Sequence, residues 1–224
     1  MSKKLKLIIG NKNYSSWSLR PWILLRHFEI PFDEILIPLY EGKYKEQILK
    51  YSPNGKVPAL VHDSVVIWES LAICQYLAEL FPKKKMWPQD LKDRALAYSI
   101  SQEMHAGFFY LRTNMLCNVR GRYPGKGMTP DSKKDIDRIL EIWTTCRNKF
   151  KNQGSYLFGH FTVADAMFMP IVTRFRTYGV VLKGIALNYA ETMLGLKAFK
   201  EWEDAAIKEP WVIKKSEIYN PKYK

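Results

Sequence analysis

Lys56-Val-Pro-Ala-Leu-Val-His-Asp-Ser-Val-Val-Ile-Trp-Glu-Ser70 is the stretch that decides the fold. Two short apolar runs, Ala59–His62 and Val65–Trp68, flank Asp63-Ser64. Two such runs joined by a pair of turn-forming residues predict a β-hairpin. Pro58 has no N–H for a ladder, so the backbone just before it is free to pair with something outside the sheet. Glu69-Ser70 then open an amphipathic helix, whose first free N–H groups attract a carboxylate. A proline-led hairpin running into an open helix start describes a groove for a short peptide that carries a carboxylate and an amine.

Upstream of the hairpin, strand and helix signals alternate. Leu5–Ile9 is an apolar strand ending at Gly10. Residues 18–28 place Leu19, Trp22, Ile23, Leu25 and Phe28 at helical spacing, with Pro21 suited to the first turn. A second strand over 32–38 and a brief helix over 45–51 lead to the turn cluster Ser52-Pro53-Asn54-Gly55. A helix over 70–81 follows the hairpin. The order βαβαββα combines a right-handed parallel crossover with an antiparallel hairpin. That is a thioredoxin-like layout, an α/β N-terminal domain over residues 1–82.

Residues 82–90 hold Pro82, Pro88 and the run Lys83-Lys84-Lys85, and they read as a linker. Residues 91–224 read as an all-α C-terminal domain. One long helix is expected over 91–118, with Leu96, Ile100, Met104, Phe108, Leu111 and Met115 on its apolar face. A glycine-rich loop spans 121–129 and a second long helix 131–151. The segment 154–161 is irregular, and 162–178 is an apolar, central helix. Shorter helices are expected over 190–194 and 197–208.

Composition sets bounds on function. The 224 residues are 47% apolar and 14% aromatic, which provides a packed core and excludes a disordered chain. Thirty-five Lys and Arg against 22 Asp and Glu give +13, a charge that favours anionic partners. The basic residues are scattered and lack the interleaved aromatics and glycines of an RNA-binding motif, so no nucleic-acid partner is expected. Cys74, Cys117 and Cys146 form no CxxC pair, which argues against a zinc site or a dithiol, and no metal is expected. The apolar start is interrupted by Lys6 and is too short for a signal sequence. Without an apolar stretch of about 18 residues, no membrane span is expected, and a reducing, cytoplasmic setting follows.

Three motifs in order resemble the cytosolic glutathione transferase superfamily over essentially the whole chain. The first is Tyr14-Ser15-Ser16-Trp17-Ser18-Leu19-Arg20-Pro21, similar to the Ser-Ser-Cys-Ser segment of the zeta class, with Trp17 where that class has Cys. The second is Val57-Pro58-Ala59-Leu60 with Glu69-Ser70-Leu71-Ala72-Ile73. The third is Thr162-Val163-Ala164-Asp165, similar to the capping box that opens the family's buried helix. The nearest likeness is to zeta-like, serine-type bacterial members.

The resemblance implies glutathione as co-substrate and roles for named residues. Ser15, with Ser16 as the reserve, would donate a hydroxyl hydrogen to the glutathione thiolate; Tyr14 is an alternative donor, and helix capping is an alternative role for both serines. Pro58 would be the family's cis-proline, presenting the Val57 backbone to the cysteinyl unit as an added strand. Lys56 would reach the glycyl carboxylate, with Lys43 or Lys45 as further candidates. Glu69 would hold the γ-glutamyl ammonium and Ser70 its carboxylate; Ser70 also reads as a simple N-cap. In the long helix, His105, Phe109 and Arg112 would share a face and line the electrophile pocket. Mid-helix Gly107, which costs about 1 kcal/mol there, implies a close approach of another helix or of ligand.

The activity so implied is conjugation of the glutathione thiolate to small electrophiles, by a homodimer. The zeta likeness keeps glutathione-dependent cis–trans isomerisation open, as in maleylacetoacetate isomerase. A non-catalytic scaffold of the same fold is the other alternative.

Overall fold

The structure, a computed structural model, describes residues 4–223. Strand β1 (Leu5–Ile9), helix α1 (Ser16–His27), strand β2 (Asp33–Leu36), helix α2 (Tyr44–Leu49), the hairpin β3 (Ala59–His62) and β4 (Val65–Trp68), and helix α3 (Ser70–Leu80) follow one another as the pattern predicts. The sheet order is β2-β1-β3-β4. β1 and β2 are parallel, with Leu7 opposite Glu34; β3 is antiparallel to both its neighbours, with Leu60 opposite Leu7 and Ile67. β1 is central and buried apart from Lys6, which is why its sequence is a near-continuous apolar run. Asp63 makes the two-residue turn at φ 55°.

A 3-10 turn at Pro82–Lys84 leads to helices α4 (Leu91–Ala106), α5 (Phe109–Asn114), α6 (Pro130–Phe150), α7 (Val163–Tyr178), α8 (Gly184–Leu194) and α9 (Lys197–Lys208). Helix α7 is the hub. Every one of its residues except Arg176 is buried, and it packs against α1, α3, α4 and α8. The Asp165 carboxylate fixes its start, accepting the Thr162 N–H at 2.8 Å and the Leu157 N–H at 3.0 Å. This is the expected capping box, with the acid also pinning the irregular segment before the helix.

The long helix expected over 91–118 is broken. Gly107 leaves α4 in an extended conformation, and Phe108 turns left-handed at φ 57° before α5 begins. A Cβ on Gly107 would stand 2.8 Å from the Glu103 carbonyl oxygen. The glycine therefore serves the break, not a close approach of another helix or of ligand. The break is silent in the apolar spacing because Met104, Phe108, Leu111 and Met115 remain buried on both sides of it. Two helix starts also move: α1 begins at Ser16 rather than at 18, and α8 at Gly184 rather than at 190.

The three cysteines are free and buried. Burial pushes the Cys74 thiol up to about 12 and the Cys146 thiol up to about 11, so both act as small apolar side chains. Among the described residues no helix is long and apolar enough to cross a membrane.

Candidate active site

The loop from β1 into α1 presents Ser15 as the helix N-cap, its Oγ accepting the Ser18 N–H at 3.4 Å. Ser18 Oγ accepts the Gly10 N–H at 3.1 Å and lies 2.7 Å from Ser15 Oγ. A hydroxyl has one hydrogen to give. With Ser18 donating to Ser15, the Ser15 hydrogen is left for a ligand. Capping and catalysis are thus compatible in one side chain. Ser15 opens on a cavity of about 320 Å³ that Trp17, Tyr40, Lys45, Lys56 and Val57 also line.

Its two alternatives are engaged by other side chains, although Tyr14 also lines this cavity. Ser16 does not line that cavity, and its Oγ accepts from Arg174 Nη2 at 3.3 Å. The Tyr14 phenol donates to Glu217 Oε1 at 2.5 Å and accepts from Arg120 Nη2 at 3.1 Å. Burial, with the Glu217 carboxylate beside it, raises the Tyr14 pKa against the opposing pull of Arg120. Its hydroxyl stays neutral and occupied.

The Val57–Pro58 peptide bond is cis. Ala59 begins β3, whereas the Val57 N–H and C=O have no partner among the described residues. Val57 and Pro58 line a second cavity of about 160 Å³ with Trp17, Asn54, Lys56, Glu69 and Ser70. The two cavities meet at Trp17, Lys56 and Val57, which makes them one trough.

At the far end of that trough α3 begins. Glu69, not Ser70, is the N-cap, and no side chain caps the helix. The first helical bond runs from the Ile73 N–H to the Glu69 carbonyl, so the N–H groups of Ser70, Leu71 and Ala72 have no acceptor within the helix. Glu69 holds φ 67° and ψ 124°, a conformation that costs a non-glycine residue about 1–3 kcal/mol and that gathers at ligand sites.

Beside Ser70 lies a group that the sequence reading did not single out. Arg20 is 1% exposed; its Nη1 reaches Ser70 Oγ at 3.4 Å, and its Nε has no partner. Among the described residues no carboxylate pairs with it. Burial, then the neighbouring Arg174 and Arg112, lowers its pKa to about 9. A buried cation without a counter-ion is costly, and a carboxylate docked at Ser70 would offset it.

Trp17, noted in the sequence only as the departure from the zeta-class Cys, covers this cation. Its ring lies 4.2 Å from the Arg20 guanidinium, 5.2 Å from that of Arg112 and 5.3 Å from the His105 ring. His105 and Arg112 therefore do meet, though not by helical spacing: Arg112 Nη1 donates to the His105 carbonyl at 3.0 Å across the helix break. Phe109 parts from them. It is 64% exposed, because the turn at Phe108 rotates α5, and none of the three expected pocket residues lines either cavity; His105 and Arg112 reach the site only through Trp17. A tryptophan at a loop–helix junction, too polar-flanked for the core, was the available signal for Trp17. Arg20 gave none, since an arginine in a helix reads as surface.

A cavity larger than either of these, about 580 Å³, lies elsewhere, between the end of α1 and the start of α9, and none of these residues lines it. No cluster of three or more metal-ligating side chains occurs among the described residues.

Residues 14–80 match the family described as glutathione S-transferase, N-terminal domain. The chain is similar to glutathione S-transferase 1 of Dianthus caryophyllus, 38% identical over 98 residues, which are 43% of each chain. It is also similar to a zeta-class glutathione S-transferase of Euphorbia esula, 30% identical over 58% of this chain and 56% of that one. These matches span about half the length of the curated relatives. In fold it is similar to a glutathione transferase homolog from Burkholderia gl BGR1 solved with bound glutathione, at TM-score 0.71 and 20% identity, over 92% of this chain and 100% of that one. Residues 14–80 thus carry the glutathione S-transferase N-terminal domain, and with its two-part fold and zeta-class proteins among its relatives the chain is similar to the cytosolic glutathione transferases.

Proposed function

We propose that the chain is a glutathione transferase that conjugates the glutathione thiolate to a small electrophile. One observation carries this reading: a single trough has Ser15 at one end, unpaired Val57 backbone in the middle, and Glu69, Ser70 and a free helix start at the other. Glutathione has matching chemistry: an amino-acid head with both charges, a cysteinyl backbone that bears the thiol, and a glycyl carboxylate beyond it.

Residues 1–82 form the glutathione-binding domain on this reading, and 91–224 complete the electrophile pocket. Val57 pairs with the cysteinyl N–H and C=O as an added strand. The γ-glutamyl carboxylate sits at the Ser70 hydroxyl and the free N–H groups of α3, with Arg20 behind it; Glu69 takes the ammonium. Lys56 lies within the trough for the glycyl carboxylate.

A free thiol has a pKa of about 8.5, so only a few per cent is thiolate at neutral pH. Lowering it by about two pKa units corresponds to roughly 2.7 kcal/mol of anion stabilisation. The Ser15 hydroxyl supplies a charge-assisted hydrogen bond of that order, aided by the start of α1. On this reading His105 and Arg112, packed behind Trp17, would act on the electrophile through the charge they hold near that ring.

Replacing Ser15 by Ala tests the assignment. The rate of conjugation should fall about a hundredfold, the equivalent of 2.7 kcal/mol, while glutathione binding by calorimetry is retained. An unchanged rate would remove Ser15 from catalysis. Failure of the wild type to bind glutathione would favour a scaffold.

The zeta-class relative supports a second reading, cis–trans isomerisation by reversible thiol addition, and product analysis in the same assay separates it from conjugation. Exposed Trp68, Leu91, Tyr98 and Phe109 support a homodimer; a monomer mass in sedimentation equilibrium would remove that part.

A further inference from the structure

The cavity beside Ser15 has a wall outside the sheet domain. Ile213, Lys215 and Ser216, from the segment after α9, close it opposite Tyr40, Tyr44 and Lys45. That segment is held firmly. Arg120 donates to the carbonyls of Glu209 at 2.7 Å and Trp211 at 2.8 Å. Glu217 accepts from Tyr14, Asn118 and Tyr123, at 2.5, 2.9 and 2.7 Å. Lys215, two residues from that anchor, has its Nζ 3.6 Å from the centroid of the Tyr40 ring.

Charge makes the wall informative. Lys45, Lys56 and Lys215 line this cavity, and no Asp or Glu does. Among the described residues none of the three has a carboxylate within ion-pair distance, whereas Lys43 next door is paired with Glu46. A rim of unpaired ammonium groups with no acid among them suits a ligand carboxylate.

The trough fixes which carboxylate. With the γ-glutamyl head at Glu69–Ser70 and the cysteinyl unit at Val57, the chain of glutathione continues past the junction at Trp17, Lys56 and Val57 into this cavity, the part of the trough rimmed by unpaired lysines. We infer that the C-terminal segment is a wall of the glutathione site, and that the Lys215 ammonium pairs with the glycyl carboxylate while Glu217 anchors the segment to Tyr14. This rests on the glutathione reading above. The Tyr40 ring holds the ammonium at the rim by a cation–π contact, which a charge-assisted hydrogen bond outweighs.

The test compares glutathione with its glycyl ethyl ester, which lacks only that negative charge. Dissociation constants are measured by calorimetry on the full chain, for wild type, Lys215→Met and Lys215→Arg. Lys215 is exposed, so the folded state should survive, and thermal melts verify it. The wild type should bind the ester about tenfold more weakly than glutathione, an interval of about 1.4 kcal/mol. Lys215→Met should bind glutathione about tenfold more weakly and lose most of the discrimination, and Lys215→Arg should restore it. Full discrimination in Lys215→Met overturns this inference and leaves the glutathione reading standing. Absence of glutathione binding by the wild type overturns both.

Discussion

The two sides of the trough are built on opposite rules. On the side that carries Tyr14 and Ser15, the protein pairs most of its own buried polar groups, with Asn11 Nδ2 the exception. Glu209 accepts the N–H groups of Lys12 and Asn13, Trp202 Nε1 donates to the Lys12 carbonyl, and Glu217 gathers Tyr14, Asn118, Tyr123 and Asn220. On the side that carries Val57, Glu69 and Ser70, groups are left over: a backbone pair, an uncapped helix start and an unmatched guanidinium. A largely satisfied network holds its shape alone, whereas free donors and an unmatched charge are completed by something that binds. One side is therefore a support for Ser15 and the other a receptor.

The largest expected effect comes from breaking the support. Glu217 is 3% exposed. Burial would raise its pKa, but the donors Tyr123, Tyr14, Asn220 and Asn118 together hold it below the ordinary carboxylate value. Glu217→Ala leaves buried donors unpaired and should cost about 3 kcal/mol, roughly 6–12 °C in Tm for a chain of this size. Conjugation should slow as the loop at Ser15 loosens. A loss below about 1 kcal/mol in denaturant unfolding would mean that the support does not depend on this carboxylate.

The two sides were unequally legible in the sequence. The receptor side sits in local patterns: the proline before β3, the two-residue turn and the Glu-Ser helix start all act within a fifteen-residue stretch, and local chemistry decides them. The support side joins residues far apart. Glu209 meets Lys12 and Glu217 meets Tyr14 because α9 and the tail fold back over the β1–α1 loop, and no periodicity encodes such a pairing. The broken helix failed for a related reason. The spacing of Met104, Phe108, Leu111 and Met115 satisfies a continuous helix and a kinked one equally, since both bury the same side chains. Gly107 was the one signal of the break, and a single glycine is tolerated within helices often enough to be read through.

On the receptor side the prediction runs the other way. Arg20→Met removes a buried charge that no acid balances and keeps much of its volume. The unliganded chain should be as stable as the wild type or more so, by about 1 kcal/mol, as when buried charges are replaced by apolar side chains. Glutathione should bind about tenfold more weakly, a loss of about 1.4 kcal/mol. Paired urea unfolding and calorimetry read both quantities. A large loss of stability with unchanged affinity would place Arg20 with the support and erase the distinction between the sides.

The smallest effect lies at the join. The His105 ring packs against Trp17, with its Nε2 3.7 Å from Glu69 Oε2, too long for a hydrogen bond. Burial first, then Arg20 and Arg112, lowers its pKa below 6.5, with Glu69 opposing. Below that value the unfolded chain takes up a proton that the folded chain resists, so stability falls as pH drops and is insensitive to this group above it. His27 adds a contribution of the same sign, because burial lowers its pKa too. His105→Gln should therefore flatten, without abolishing, the slope of unfolding free energy as pH falls below about 6.5. Saturating glutathione should flatten it further in the wild type, since an anion at Ser70 offsets the two guanidiniums that repel the imidazolium. A slope unchanged by both would assign the proton uptake to His27, and would mean that the charge of Arg20 is not felt across the trough.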